Sequence, residues 1–263
     1  MNNQLLFLKL GGSLITDKSK TETPLEDRIH MLLSELLSYQ NEHPATQILL
    51  GHGSGSYGHH VAAKYGTRNG VKDKYGWTGF VEVWRSARRL NEIVLSIGQE
   101  IGLSLISFPP SATIMARGQK VETWNLAPIT KALRSGLIPI VYGDVVFDQE
   151  LGGTILSTEE LFYHLAAHLK PDRVLLASIE KAVFADFPAN QKAIRHIDKN
   201  APLDDFLQGS QNQDVTGGMR SKVSQMQALC RQSEACQVEI FRATNTGELL
   251  LALKGQHSGT IIS

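Results

Sequence analysis

Three lysines and one histidine stand where apolar runs meet glycine-rich stretches. The first run closes as LFLKLGGSLITDK, with Lys9 near its end, Gly11, Gly12 and Ser13 next, and Lys18 nine positions after Lys9. A strand that ends in small residues can turn backbone amides outward, and two ammonium groups beside them favour an anionic guest. Taken alone, the segment fits an ordinary turn with a solvated lysine equally well.

The second stretch, GHGSGSYGHH, follows the apolar QILL directly. Gly53, Gly55 and Gly58 satisfy the dinucleotide spacing G-x-G-x-x-G, and Asp73 lies about 20 residues on. Asp73 nevertheless sits in the polar segment NGVKDKYGW with no apolar run before it, so it is not the acid that ends a second nucleotide-binding strand. A P-loop is excluded as well, since no lysine and hydroxyl pair follows the last glycine. What remains is a cradle in which Gly53, Ser54 and Gly55 offer amides to a phosphate and His59, at the loop's end, donates a hydrogen bond. His52 and His60 should point elsewhere. The histidines match no zinc spacing, so no metal-ligating set is expected.

A third stretch, DVTGGMRSKV, carries Gly217 and Gly218 into a helix and puts Lys222 in its first turns. A cation there opposes the positive end of the helix dipole unless an anion sits beside it. A fourth, IPIVYGDVVFD, delivers Asp144 straight after Gly143. That aspartate could orient ammonium groups, hold magnesium through water, or serve the turn itself; Asp148 is a weaker candidate. Lysines and amides on one sheet edge suit phosphoryl transfer, which is catalysed largely by positioning and charge neutralisation.

The elements that must carry these groups are legible as short apolar runs: LLFLKL, QILLGHG, LSLISF, LIPIVYGD, DRVLLAS and QVEIFRA. Helical patterns separate several of them, the rhythm of a mostly parallel sheet covered on both faces, so a three-layer αβα sandwich is expected. Thr23-Pro24-Leu25-Glu26 reads as a capped start for DRIHMLLSELLSYQ, and Ser157-Thr158-Glu159-Glu160 does the same for LFYHLAAHL. A helical stripe runs from about Thr78 to Gly102. Residues 188–213 turn polar and aperiodic, as in a surface excursion.

Bulk properties narrow the field. The 263 residues carry 26 basic and 26 acidic side chains, so no global positive field favours nucleic acid. Cys230 and Cys236 suggest neither a disulfide framework nor a metal pair, which fits a reducing cytoplasm. The N-terminal apolar run is too short for a leader or a membrane span. One domain covering residues 1–263 is the expectation.

With these pieces assembled, the sequence resembles the amino acid kinase superfamily, and within it the isopentenyl phosphate kinases. The resemblance rests on KLGGSLIT with Lys18, HGSGSYGH, YGDVVFD, GGTILST, DVTGGM with Lys222 and the closing SGTII, in this order along the whole chain. It implies a homodimer that uses ATP and magnesium, with the acceptor over the N-terminal half and the nucleotide over the C-terminal half. Lys9 would bridge donor and acceptor phosphates, aided by Gly11, Gly12 and Ser13, while Lys18 would stabilise the transferred group. His59 would hold an acceptor that is itself a phosphate or phosphonate. Gly55, Gly217, Gly218 and Lys222 would lie against ATP; Gly53, Ser54 and Gly153 would lie against the acceptor. Phe80 and Trp84, one turn apart on the long helix, would line a pocket for an isoprenoid tail, with Val83 and Ile93 as further candidates. SIEKAVFADFP departs from the acidic and glycine positions that many relatives carry there, which bears on nucleotide preference. A fosfomycin-type kinase and a non-catalytic nucleotide sensor of the same fold are the alternatives.

Overall fold

The computed structural model describes residues 4–186, 189–205, 218–233 and 236–263. All six apolar runs are strands of one eight-stranded sheet. Its order is His196–Ile197, Thr260–Ile262, Gln237–Arg242, Arg173–Ser178, Leu5–Leu10, Gln47–His52, Ile138–Tyr142 and Leu105–Ser107. Every neighbouring pair is parallel except Gln237–Arg242 with Thr260–Ile262. Strands buried on both faces read as continuous apolar runs, which is why the sequence exposes them so clearly.

Alternation along each strand sorts its side chains between two cores. Phe7, Leu49, Val141, Val174 and Val238 face Phe162 and Leu165 of the helix Thr158–Leu169 and Met226 of the helix Gly218–Gln232. Leu6, Leu8, Leu50 and Leu175 face Leu33 of the helix Glu26–Glu42, Leu90 and Val94 of the helix Lys74–Glu100, and Leu249 of the helix Glu248–Leu253. Helices thus cover both faces, giving the expected three layers. A fully buried leucine contributes about 1.5–3 kcal/mol, so the central strand Leu5–Leu10, buried throughout, is the best anchored element.

A second, four-stranded sheet was not foreseen. It runs Lys120–Trp124, Ile114–Arg117, Asp144–Asp148 and Gly152–Leu156, and extends from the strand Ile138–Tyr142 through Gly143.

The two capping signals fare differently. Ser157 accepts from the Glu160 amide and Glu160 reaches back to the Ser157 amide, a full capping box. The helix Glu26–Glu42 exists, but Leu25 caps it without a side-chain bond. Pro24 is extended and bridges Thr16, the Leu25 amide donates to the Ile15 carbonyl, and the Thr23 hydroxyl turns back to Thr21. Asp73 caps the 27-residue helix Lys74–Glu100 through the Gly76 amide, which explains its place in a polar loop. No described helix is long and apolar enough to cross a membrane. Cys230 and Cys236 are buried free thiols. Within the polar stretch 188–213, residues 189–205 are described: Ala193–Ile194 pairs with Val183–Phe184 and His196–Ile197 is the edge strand of the main sheet, while residues 188 and 206–213 lie outside the described residues.

Candidate active site

Because Arg173–Ser178, Leu5–Leu10, Gln47–His52 and Ile138–Tyr142 are parallel neighbours, their C-terminal ends share one edge, and each loop that leaves this edge can face a common crevice. A cavity of about 360 Å³ lies there. Lys9, Gly12, Ser13 and Lys18 reach it from the first loop, and Gly53, Ser54, Gly55 and His59 from the second. Ser221, Lys222 and Gln225 reach it from the helix Gly218–Gln232.

The two glycine loops pack backbone against backbone. A Cβ on Gly12 would lie 2.4 Å from the Gly55 nitrogen, and one on Gly53 would lie 2.8 Å from the Gly12 nitrogen. Gly55 adopts φ +51 and has no room beside Thr16. Thr16 ties the loops, its hydroxyl donating to the Gly12 carbonyl and accepting from the Ser56 amide. The amides of Gly12, Ser13, Ser54 and Gly55 make no hydrogen bond within the described residues. Four such donors beside cationic side chains form a ready anion cradle.

Lys9 is buried and its ammonium pairs with Glu159, the second residue of the helix Thr158–Leu169. Burial lowers the Lys9 pKa, Glu159 opposes that shift, and Lys222 and Lys18 add to it. Burial alone would raise Glu159, but Lys9 and Lys222 overcome it and hold the carboxyl below its usual range. Sequence reasoning missed Glu159 because an acid in a helix's first turn reads as a capping residue. Its neighbour Glu160 is the capping residue and also pairs with Arg68, another side chain at the cavity.

Several expected site residues lie elsewhere. The Gly11 amide donates to the Ala177 carbonyl and Gly11 is not at the cavity wall. Asp144 is fully buried under the short helix Pro110–Thr113, accepting from the Ser111 and Val145 amides, and desolvation pushes its pKa up to about 6. Among the described residues it pairs with no lysine. Phe80 and Trp84 pack with Val71 and Val145 behind the wall rather than on it. Gly153 makes room for Phe80, whose ring would lie 2.8 Å from an added Cβ. The apolar wall is instead Ala62, Ala63, Val83 and Ile155. Ile93 belongs to the core on the other side of its helix. Gly218 opens its helix at φ +55 without lining the cavity, and Gly217 lies outside the described residues. His60 is exposed and His52 is buried away from the cavity, as expected.

Among the described residues no three His, Cys, Asp or Glu side chains converge as a metal cage. Among the described residues Glu159 is the one carboxylate on the cavity wall, and Lys9 engages it. That donor set fits magnesium arriving on nucleotide phosphates better than a resident ion.

The model of the amino acid kinase family matches residues 4–242. Isopentenyl phosphate kinase of Methanocaldococcus jannaschii is 31% identical over 266 residues, 98% of this chain and 98% of that protein. The enzyme of the same name from Methanothermobacter thermautotrophicus is 31% identical over 261 residues, 96% of each. Among solved structures, one described as X-ray structures of isopentenyl phosphate kinase superposes with a TM-score of 0.85 at 26% identity, covering 99% of this chain and 100% of that one.

Proposed function

The chain belongs to the amino acid kinase family, in its isopentenyl phosphate kinase branch, and from that premise we propose that it transfers the γ-phosphoryl group of ATP to isopentenyl phosphate. The observation that carries this reading is the composition of a single cavity. Open amides, three lysines and His59 share it with an apolar wall of Ala62, Ala63, Val83 and Ile155.

An acceptor phosphate oxygen attacks the γ-phosphorus, the bond from that phosphorus to the β-bridging oxygen breaks, and ADP leaves with the electron pair. The acceptor is already anionic near neutral pH, so no strong general base is required. Charge is what must be managed. Lys9, held by Glu159 at the cavity, neutralises donor and acceptor phosphates together. Lys18 acts on the moving group, and Lys222 meets the nucleotide. The amides of Gly12, Ser13, Ser54 and Gly55 replace the water that would otherwise solvate the equatorial oxygens. His59 holds the acceptor phosphate as a hydrogen-bond donor. Magnesium bound with ATP would neutralise the β- and γ-phosphates.

In this reading residues 1–263 form one kinase domain, with the acceptor over the cradle, His59 and the apolar wall, and the nucleotide toward Ser221, Lys222 and Gln225. The protein acts as a homodimer. A small polar antibiotic would leave the apolar wall uncovered, which favours an isoprenoid tail over fosfomycin.

The test is ADP release by the purified protein with ATP and magnesium, comparing isopentenyl phosphate, dimethylallyl phosphate, fosfomycin and no acceptor, with Lys9→Ala as the blank. Release that depends on isopentenyl phosphate supports the proposal. Release with fosfomycin alone, or ATP binding without release for any acceptor, overturns it in favour of the antibiotic kinase or the nucleotide sensor.

A further inference from the structure

His52 ends the strand Gln47–His52 and is 1% exposed, yet its polar atoms are all engaged. Nδ1 lies 3.1 Å from the Gly53 carbonyl oxygen and Nε2 lies 3.3 Å from Asn91 Oδ1. The ring stacks on Tyr142 with centroids 5.2 Å apart and planes within 4°. Asn91, on the helix Lys74–Glu100, is anchored in turn to Ser107 at 3.0 Å. The His52 carbonyl accepts from the Thr158 hydroxyl at 2.6 Å and the Gly143 amide at 3.3 Å. One residue therefore joins the cradle to a long helix, two neighbouring strands and the helix that carries Glu159.

A trans peptide is planar, so its carbonyl and its N–H point in opposite directions. The Gly53 carbonyl is turned inward to the His52 ring, which directs the N–H of Ser54 the other way. Ser54 lines the cavity, and this N–H is among the four with no partner in the described residues. Two further bonds fix the same unit: the Gly53 amide donates to Leu10, and the Ser54 hydroxyl donates to Gly143.

We infer that His52 is a positioning residue that fixes the Gly53–Ser54 peptide so that the Ser54 amide faces the transferring phosphate. The role needs a neutral ring with its single N–H on Nδ1 and Nε2 as acceptor, and therefore the Asn91 amide turned over from the orientation in which Oδ1 faces Nε2, with Nδ2 donating to Nε2 and Oδ1 accepting from the Ser107 hydroxyl. Burial favours neutrality, since it lowers the His52 pKa to about 4 despite the bonds to Gly53 and Asn91, with Lys9 lowering it further. Nothing in the sequence set His52 apart from a buried core histidine.

This inference rests on the proposed phosphoryl transfer, so its test has one arm that reads activity and one that does not. His52→Leu removes the donor, whereas His52→Asn places an amide N–H close to the position of Nδ1. A misaligned cradle donor costs on the order of 100-fold in turnover. His52→Leu is expected to lose about that much in kcat, with KM for ATP and isopentenyl phosphate within roughly threefold of the parent, and His52→Asn to recover to within about tenfold. If His52→Leu does not fold, Asn91→Leu, which releases the outer anchor of the ring, carries the comparison with an expected loss of roughly tenfold in kcat alone. A folded His52→Leu with parental kcat, or a His52→Asn as impaired as His52→Leu, overturns the inference. Independently of turnover, a long-range ¹H–¹⁵N spectrum of the parent at neutral pH should place the proton on Nδ1. A proton on Nε2 overturns the inference. A parent that transfers no phosphate defeats the functional proposal and leaves the tautomer to judge this one.

Discussion

Replacing Glu159 with glutamine isolates the role of the buried pair. Lys9 and Glu159 have side chains only 9% and 7% exposed, and each is the other's ion-pair partner. Glutamine keeps the shape and removes the charge, which leaves a buried ammonium facing Lys222 and Lys18 without compensation. Breaking a buried pair from one side costs about 3–5 kcal/mol, whereas replacing both partners with apolar residues of similar volume is often neutral or stabilising. For a chain of this size 1 kcal/mol moves the melting temperature by roughly 2–4 °C, so Glu159→Gln should melt about 6–20 °C lower. Lys9→Met with Glu159→Leu should recover most of that loss while turnover stays absent. The remaining Lys9 pKa should also fall, so the alkaline limb of the kcat profile in Glu159→Gln should move to lower pH. Melting curves and pH–rate profiles of the parent, Glu159→Gln, Lys9→Met and Glu159→Leu alone, and the double variant are the assay. A Glu159→Gln protein that melts within about 2 °C of the parent, or single effects that simply add in the double variant, would refute the reasoning.

Further outcomes follow from the same geometry. Lys18 is exposed, so Lys18→Ala should leave the melting temperature unchanged and lower kcat by about 100-fold or more, with acceptor affinity within roughly threefold; equal loss in affinity and turnover would argue against action on the moving group. His59→Ala should raise KM for isopentenyl phosphate about tenfold or more and leave KM for ATP alone, since a hydrogen bond to a charged group is worth about 1.5–3 kcal/mol. Val83→Phe should fill the apolar wall and weaken isopentenyl phosphate without touching ATP, read by calorimetric titration of each. Asp144 has its folded pKa raised from 3.8 to about 6 by burial, so the folded state holds its proton more tightly than the unfolded chain. Its contribution to stability therefore falls as pH rises from about 4 to about 6 and is constant above, a loss of roughly 3 kcal/mol at about 1.36 kcal/mol per pH unit. Asp144→Asn should remove that slope from melting temperatures measured between pH 4.5 and 7.5.

The sequence made the main sheet legible because strands buried on both faces cannot hide their apolar runs, as LLFLKL and DRVLLAS illustrate. The four-stranded sheet was hidden because its strands alternate or expose one side, with Met115 and Phe147 both open to solvent. Local signals sufficed for Ser157, whose cap is made within one turn. They failed for Thr23 because Pro24 pairs with Thr16, a contact that local capping rules do not contain. The glycine loops announced their chemistry through residue type, and the structure brings Lys9, Lys18, His59 and Lys222 to one cavity. Glu159 and His52 were illegible for a different reason: each becomes informative only when its partner from another element, Lys9 for the one and Asn91 for the other, is known. Phe80 and Trp84 share a helix stripe with Val83; in the folded chain Phe80 packs against Gly153, and of the three it is Val83 that lines the cavity.

The most direct measurement is a ³¹P spectrum of the protein incubated with ATP, magnesium and isopentenyl phosphate, beside Lys9→Ala treated alike. The account predicts that the phosphomonoester resonance is replaced by the coupled pair of an organic diphosphate as ADP accumulates, in the parent only. An unchanged phosphomonoester signal, with ATP intact or hydrolysed to inorganic phosphate, would contradict it.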